Sequence, residues 1–404
     1  MNLTFNSSIP RHQWLISCAI CLLCAGLVMV MSASLAVSEN KFGTAFHYIT
    51  RHTAYIIIAI ILSQISYRVP MEIWQRLSPY LFFCAIALLV SVLIFGREIN
   101  GSTRWLSLGV INFQPSEIAK IFIIIFLASF IVRKNKEISE HWSGVVKSFV
   151  VLFSPIVLLL LEPDFGSVIV LTVAAFAMIF MGGVPLKYFV LTVVICLVLF
   201  ALLLVTKDYR MDRFTGYLHP WKNQFGSGYQ LTQSLIAYGR GEWFGLGLGN
   251  SVQKLFYLPE AHTDFLFSVL AEEFGLLGVG IIISLFSILI LASLSIARAS
   301  ELEGKQFSSI LAYGLSVLMG IQFLFNIGVT MGLLPTKGLT LPLMSYGGSS
   351  LLSSCIVLSI LLRIDKETRL IVQNKISLRK KSAPKNKKRK ANLKLKTDQV
   401  GLVS

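Results

Sequence analysis

Glu260, His262 and Asp264 stand at alternate positions in YLPEAHTDF, immediately before a long apolar run. Two carboxylates and an imidazole take up and return protons near neutral pH, so general acid–base work on a hydroxyl is chemistry they suit. On an extended backbone this spacing points all three to one side. Two plainer uses compete. Asp264 suits the N-cap of the helix that follows. The trio also has the donors for zinc, although one His with two carboxylates at this spacing is a weak zinc signature.

Other charged residues sit at the edges of apolar runs, where an ionisable group at a helix centre costs roughly 2.5–3.5 kcal/mol and needs a partner or a wet cavity. Glu117 and Lys120, in FQPSEIAK, are three apart and share one helix face. Such a pair either fixes helix packing or lines the outer mouth of a cavity. Asp164, in LEPDFGS, follows Pro163 and suits a helix N-terminus electrostatically. Arg51 and His52 open an apolar run as anchors or as ligand contacts, and Lys337, between Pro335 and Pro342, is an anchor or a cation aimed at a phosphate. A serine-hydrolase elbow of the GxSxG kind is missing from the sequence, and GLGLGN follows no strand, which excludes a nucleotide loop.

The elements that must hold these residues are membrane helices. Charged residues are only 14% of the 404, against roughly 25% in soluble proteins, and the mean hydropathy is +0.72. At about 20 apolar residues per crossing, ten segments qualify: Trp14 to Ala36, His47 to Ser66, Pro79 to Phe95, Ser116 to Val132, Val146 to Leu161, Phe165 to Gly182, Leu186 to Thr206, Phe265 to Ala297, Ser308 to Gly332 and Pro342 to Arg363. The fifth and sixth form either a tight hairpin or one broken helix with a re-entrant piece. The first reads as a span and not as a cleavable leader. Cys18, Cys21, Cys24, Cys84, Cys196 and Cys355 lie inside apolar runs and read as small buried hydrophobes.

The net charge of +16 invites a nucleic-acid reading until it is located. From Arg363 onward there are 14 basic and 3 acidic residues, so the tail holds +11. A basic tail beside an anionic leaflet accounts for most of the charge. Residues 1–13 and 364–404 therefore read as cytoplasmic ends, the latter polar and disordered from Arg369, flanking a membrane domain over 14–363. Lys and Arg crowd the loops on the side of the termini (Arg11, Arg68, Arg76, Arg133, Lys134, Lys136, Lys187, Arg298, Lys305), while short loops opposite carry only Lys41, Arg97, Arg104 and Lys337. Both termini are thus expected inside. The 58-residue connection from Lys207 to Asp264 then lies outside, where no nucleotide is available. Its Gly-punctuated stretch from Gln230 to Phe256 suggests short amphipathic helices in the interface.

NGSTRWLSLG, FQPSEIAK, EPDFGS, GYQLTQSLIAYGRG, LPEAHTDF and LPTKGLTLPLMSYGGSS occur in this order. By these stretches the chain resembles the SEDS family of bacterial cell-envelope proteins from about Trp14 to Arg363, and LPEAHTDF with Ala261 is similar to its division-associated branch. Phe256 departs from the Glu common there. The resemblance implies an all-α fold of ten transmembrane helices with a structured extracytoplasmic loop between the seventh and eighth. It implies a peptidoglycan glycosyltransferase that polymerises lipid II at the division septum of the bacterial inner membrane. Partners would be a class B penicillin-binding protein and other divisome membrane proteins, not nucleic acid. It places the residue on which polymerisation depends at Asp264, and Glu117, Lys120 and Asp164 in a central cavity.

That reaction joins a sugar hydroxyl to an anomeric carbon whose leaving group is a lipid diphosphate. A base near the hydroxyl proton contributes about 10²–10⁴ in rate, and cations stabilise the departing charge. Asp264 is the expected base. Arg51, Arg104, Lys120, Arg240 and Lys337 are candidate cations, Glu260 and His262 candidate substrate contacts, and Mg²⁺ or Mn²⁺ a candidate companion; no nucleotide is needed. The competing readings are a lipid II flippase, which moves its substrate without consuming it, and a non-catalytic division scaffold.

Overall fold

Lipid offers the backbone no hydrogen-bond partner, so each apolar run closes its own bonds as a helix. The computed structural model describes residues 10–99, 102–107, 112–205, 216–336 and 338–382. The helices are α1 (Arg11–Phe42), α2 (His47–Arg68), α3 (Met71–Phe95), α4 (Pro115–Arg133), α5 (Asn135–Glu140), α6 (Trp142–Leu161), α7 (Phe165–Met181), α8 (Leu186–Val205), α9 (Tyr229–Gly241), α10 (Leu266–Leu302), α11 (Gln306–Thr330) and α12 (Gly348–Ser382). Between α3 and α4 lies a small antiparallel sheet of order β1 (Arg97–Ile99), β2 (Ser102–Ser107), β3 (Asn112–Phe113). Among the described residues eight helices are long and apolar enough to cross a bilayer, and Phe165–Met181 and Leu186–Val198 are shorter apolar helices.

Burial sorts these helices into centre and rim. The most apolar windows of α11 and α12 are 78% buried, whereas those of α2 and α3 are 22% buried. Rim helices turn Ile57, Ile61, Phe83 and Phe95 outward, as lipid-solvated side chains do. Within the centre α12 packs on α2, α11 on α7 and α10, and α10 on α1.

α6 and α7 are two separate helices joined by the short turn of Glu162, Pro163 and Asp164. The last helix begins at Gly348 and not at Pro342. Leu343 has φ 64, and the Tyr346 amide donates to the His262 carbonyl at 3.0 Å instead of to a helical turn. α12 also continues to Ser382, past Arg363, where the sequence reading starts the tail. Ion pairs hold the extension: Arg369 Nε to Asp365 Oδ2 at 2.7 Å, Arg363 Nε to Glu367 Oε1 at 2.8 Å, and Lys375 Nζ to Glu303 Oε2 at 2.6 Å. Residues 383–404 lie outside the described residues.

α10 carries the main irregularity, a break at Gly275 (φ 63, ψ −162). Backbone groups freed there are taken up by the preceding loop: Leu276 N donates to Glu242 O at 2.9 Å, and Leu246 N to Glu272 O at 3.0 Å. A Cβ on Gly245 would stand 2.2 Å from the Glu273 carbonyl, so this approach requires glycine. α9 packs against α10 and buries Leu231 and Ala237. It is thus a short helix docked on the bundle, within the stretch where the sequence reading expects amphipathic helices.

Connections gather at two ends. Tyr48 meets His262, and Arg104 meets Pro163, at one end. The Met71 amide meets Glu367, and Lys375 meets Glu303, at the other. The first end carries nearly all the residues with chemistry.

Candidate functional site

Asp264 closes a tight turn before α10. Glu260 adopts φ 55 and its carbonyl accepts from Phe265 N at 3.2 Å, so the stretch is curled and not extended. The alternate-spacing expectation therefore fails: Glu260 is turned back to Thr263 Oγ1, which donates to it at 2.8 Å. The capping role expected as an alternative for Asp264 fails too. The N-cap of α10 is Phe265, and no side chain caps it. The Asp264 carboxyl is left for other work.

Its position is nonetheless tightly set. Asn326 of α11 donates through Nδ2 to the Asp264 carbonyl at 2.8 Å and to the Leu339 carbonyl at 2.7 Å. That clamp joins the turn to the loop before α12. Gly338 lies against the carboxyl: a Cβ there would stand 2.8 Å from Asp264 Oδ2. Burial, reinforced by the Glu260 charge, pushes the Asp264 pKa up to about 7, with Arg104 pulling against it. A carboxyl poised at that value is half ionised near neutral pH, the condition in which a base is both available and strong.

Arg104, on β2, reaches the α6–α7 turn and donates through Nη2 to the Pro163 carbonyl. Asp164 caps α7: its Oδ1 accepts from Ser167 N at 3.3 Å, and its Oδ2 from Ser167 Oγ at 2.7 Å and Ser116 Oγ at 3.2 Å. Two residues earlier is Glu162, which the sequence reading passes over. It is fully buried at 0% exposure, and neither carboxyl oxygen has a hydrogen-bond partner. Burial and the neighbouring Asp164 charge raise its pKa to about 8, with Arg104 opposing. The second acid of EPD was the available signal, but an acid at a helix end reads as ordinary. Because the Arg104 charge is felt at both Glu162 and Asp264, Arg104 links the turn to the catalytic candidate.

The remaining candidates divide. His262 packs against Tyr48 (ring centroids 4.6 Å) and Tyr346 (5.7 Å), and burial lowers its pKa despite Glu260. It is therefore a neutral contact. The Arg51 guanidinium neighbours Tyr346, whose pKa is pushed up to about 12 chiefly by burial. His52 is fully buried. Glu117 and Lys120 pair at 2.8 Å inside the bundle, and Ser353 of α12 donates to Glu117 at 3.1 Å. Both are enclosed, at 4% and 1% exposure, so they sit as helix packing does and not at an open mouth. Arg240 turns to buried Glu272, Nε to Oε1 3.4 Å. Lys337 lies outside the described residues.

A second buried network was not legible in the sequence. Lys254 Nζ contacts Glu273 Oε1 at 2.6 Å and Ser32 Oγ of α1 at 2.8 Å. Glu272 accepts from the amides of Val252 and Gln253. Together these acids hold the outer loop to α10 just before its break. Among the described residues no group of three or more His, Cys, Asp and Glu is placed to hold a metal, so the zinc alternative for Glu260, His262 and Asp264 has no support.

The profile of the FtsW, RodA and SpoVE cell cycle proteins matches residues 12–370. A relative from Hahella chejuensis, named for FtsW and peptidoglycan glycosyltransferase activity, is 50% identical over 355 residues, 87% of this chain and 89% of that protein. One of the same name from Coxiella burnetii is 48% identical, covering 88% and 96%. Among solved structures, a peptidoglycan synthase complex in which polymerization and crosslinking are coordinated superposes with a TM-score of 0.72 at 26% identity, covering 88% of this chain and 97% of that one. The rod shape determining protein RodA of Thermus thermophilus superposes at 0.65, also at 26% identity, covering 87% and 96%.

Proposed function

The chain belongs to the FtsW, RodA and SpoVE family of cell cycle proteins, and on that premise we propose that it is a peptidoglycan glycosyltransferase that polymerises lipid II on the outer face of the bacterial inner membrane. Its shorter helices α7 and α8 complete ten crossings, with both termini in the cytoplasm and the Asp264 end outside. It works at the division septum with a class B penicillin-binding protein and other divisome proteins. The observation that carries the mechanism is the Asp264 carboxyl, which caps no helix, sits on a turn whose Asp264 main-chain carbonyl Asn326 clamps, and is poised at about 7. Asp264 takes the acceptor hydroxyl proton, the oxygen attacks the anomeric carbon, and the lipid diphosphate leaves against the positive charge of Arg104.

Purified protein, with and without its transpeptidase partner, is expected to convert lipid II into long glycan. Relocation of lipid II without consumption would establish the flippase reading instead. Because the base works ionised and its pKa is raised, the rate should fall on the acid side with a midpoint near 7, by roughly ten-fold per unit below about pH 6. A midpoint near the ordinary carboxylate value of about 4 would remove Asp264 as the titrating base.

Gly338→Ala tests the placement of the carboxyl. The added methyl meets Asp264 Oδ2 at 2.8 Å, and a side-chain end can swing aside at small cost in stability. A displacement of about 1 Å costs on the order of 10²-fold in rate. Unchanged thermal stability with slowed polymerisation is expected; full activity would show that the carboxyl position is not critical.

A further inference from the structure

Asn326 spends its side chain on two loop carbonyls. It lies near the end of α11, is 2% exposed, and its Nδ2 donates to the Asp264 carbonyl at 2.8 Å and the Leu339 carbonyl at 2.7 Å. Its Oδ1 finds no partner among the described residues. A buried acceptor left unpaired lowers stability, yet turning the amide over would set that oxygen against two carbonyl oxygens. The orientation therefore favours the two donated bonds at the expense of the third group. The amide is carried by α11, one of the two most buried helices, so the bonds fix both loops to the centre of the bundle.

What Asn326 joins is the catalytic turn and the strap of residues 338–346. The strap is closed on itself, with Ser345 N donating to the Leu341 carbonyl and Leu341 N to Ser345 Oγ, both at 3.0 Å. It meets the turn again where the Tyr346 amide donates to the His262 carbonyl. Its far side rests on α7, where a Cβ on Gly166 would stand 2.9 Å from the Leu339 side chain. At its near end Gly338 bears on the Asp264 carboxyl. The direction of that carboxyl is thus set by how the turn lies against the strap, and Asn326 bonds to both. We infer that Asn326 is a positioning residue of glycan polymerisation, holding Asp264 and the strap as one body without touching the reacting atoms. The inference rests on the reading of Asp264 as the base. A side chain on a packed helix places a reacting group more closely than a loop does by itself.

The test measures kcat and KM for lipid II separately on the full-length purified chain. Asn326→Leu nearly keeps the size and removes both donors. Its kcat is expected to fall on the order of 10²-fold, the effect of about 1 Å of misplacement, with KM changed by less than about two-fold. Asn326→Ser keeps one donor and should lose about ten-fold. Ser234→Ala is the control for stability alone: Ser234 is buried and its Oγ donates to the Thr330 carbonyl at the same end of α11, at 2.6 Å. It should lower the thermal midpoint and leave kcat unchanged. Gly338→Ala should cost less in the Asn326→Leu background than in the unaltered chain, because a turn already released can retreat from the added methyl. Unchanged kcat in Asn326→Leu and Asn326→Ser, an equal loss in Ser234→Ala, or fully independent effects of Asn326→Leu and Gly338→Ala would overturn the inference. Should Asn326→Leu fail to fold, Asn326→Ser against Ser234→Ala decides. Full rate in Asp264→Asn would remove the base and this inference with it, whereas full rate in both Asn326 variants beside an inactive Asp264→Asn removes this inference alone.

Discussion

Asp264→Asn is expected to stop glycan-strand synthesis while leaving lipid II binding and the fold in place. The amide matches the carboxylate in size, and the clamp from Asn326 grips the Asp264 main-chain carbonyl, which the substitution does not alter. The carboxyl caps no helix, so α10 loses nothing at its N-terminus. What disappears is the proton acceptor, and with it about 10²–10⁴ in rate. The acid limb near pH 7 should vanish from any residual activity. Lipid II polymerisation by the purified variant, compared with lipid II retention on the same preparation, separates chemistry from binding. Chain formation at the unaltered rate would take Asp264 out of the mechanism.

Lys120→Met should give the largest loss of stability. Lys120 is 1% exposed and its ammonium lies 2.8 Å from Glu117. Removing one partner leaves a buried charge without compensation, at a cost of about 3–5 kcal/mol. Ser353 alone, donating at 3.1 Å, does not replace a cation. The thermal midpoint in detergent is expected to drop sharply. The double variant Glu117→Gln, Lys120→Met should recover most of that loss, because no unpaired charge remains. If the pair only fixes packing of α4 against α12, the recovered double variant polymerises lipid II. A stable but inactive double variant would instead assign the pair to the reaction.

Glu117 and Lys120 show how far local spacing reaches. Three-residue separation on a helix predicts the pair, but its burial comes from α3, α7, α11 and α12 packed around α4, with Ser353 of α12 more than two hundred positions away in the chain. The same limit explains Asp164 and Asp264. Each precedes an apolar helix and each suits an N-cap, yet Asp164 caps α7 and Asp264 caps nothing. The curl at Glu260 sets the difference, by leaving Asp264 one residue short of the N-cap Phe265 and against Gly338.

The order, apolar character and approximate limits of the helices were legible because hydropathy is a property of consecutive residues, and a bilayer tests each stretch by itself. Charge asymmetry likewise marked the two sides without any fold. Which polar groups end up satisfied is another matter. Glu162 and Asp164 are neighbours of similar chemistry, yet Asp164 is bonded by Ser167 of its own helix and by Ser116 of α4, whereas no side chain among the described residues reaches Glu162 with a hydrogen bond. The break at Gly275 and the loop that fills it are similarly mutual. Where satisfaction depends on partners distant in sequence, as for Glu162, it was decided by the tertiary structure.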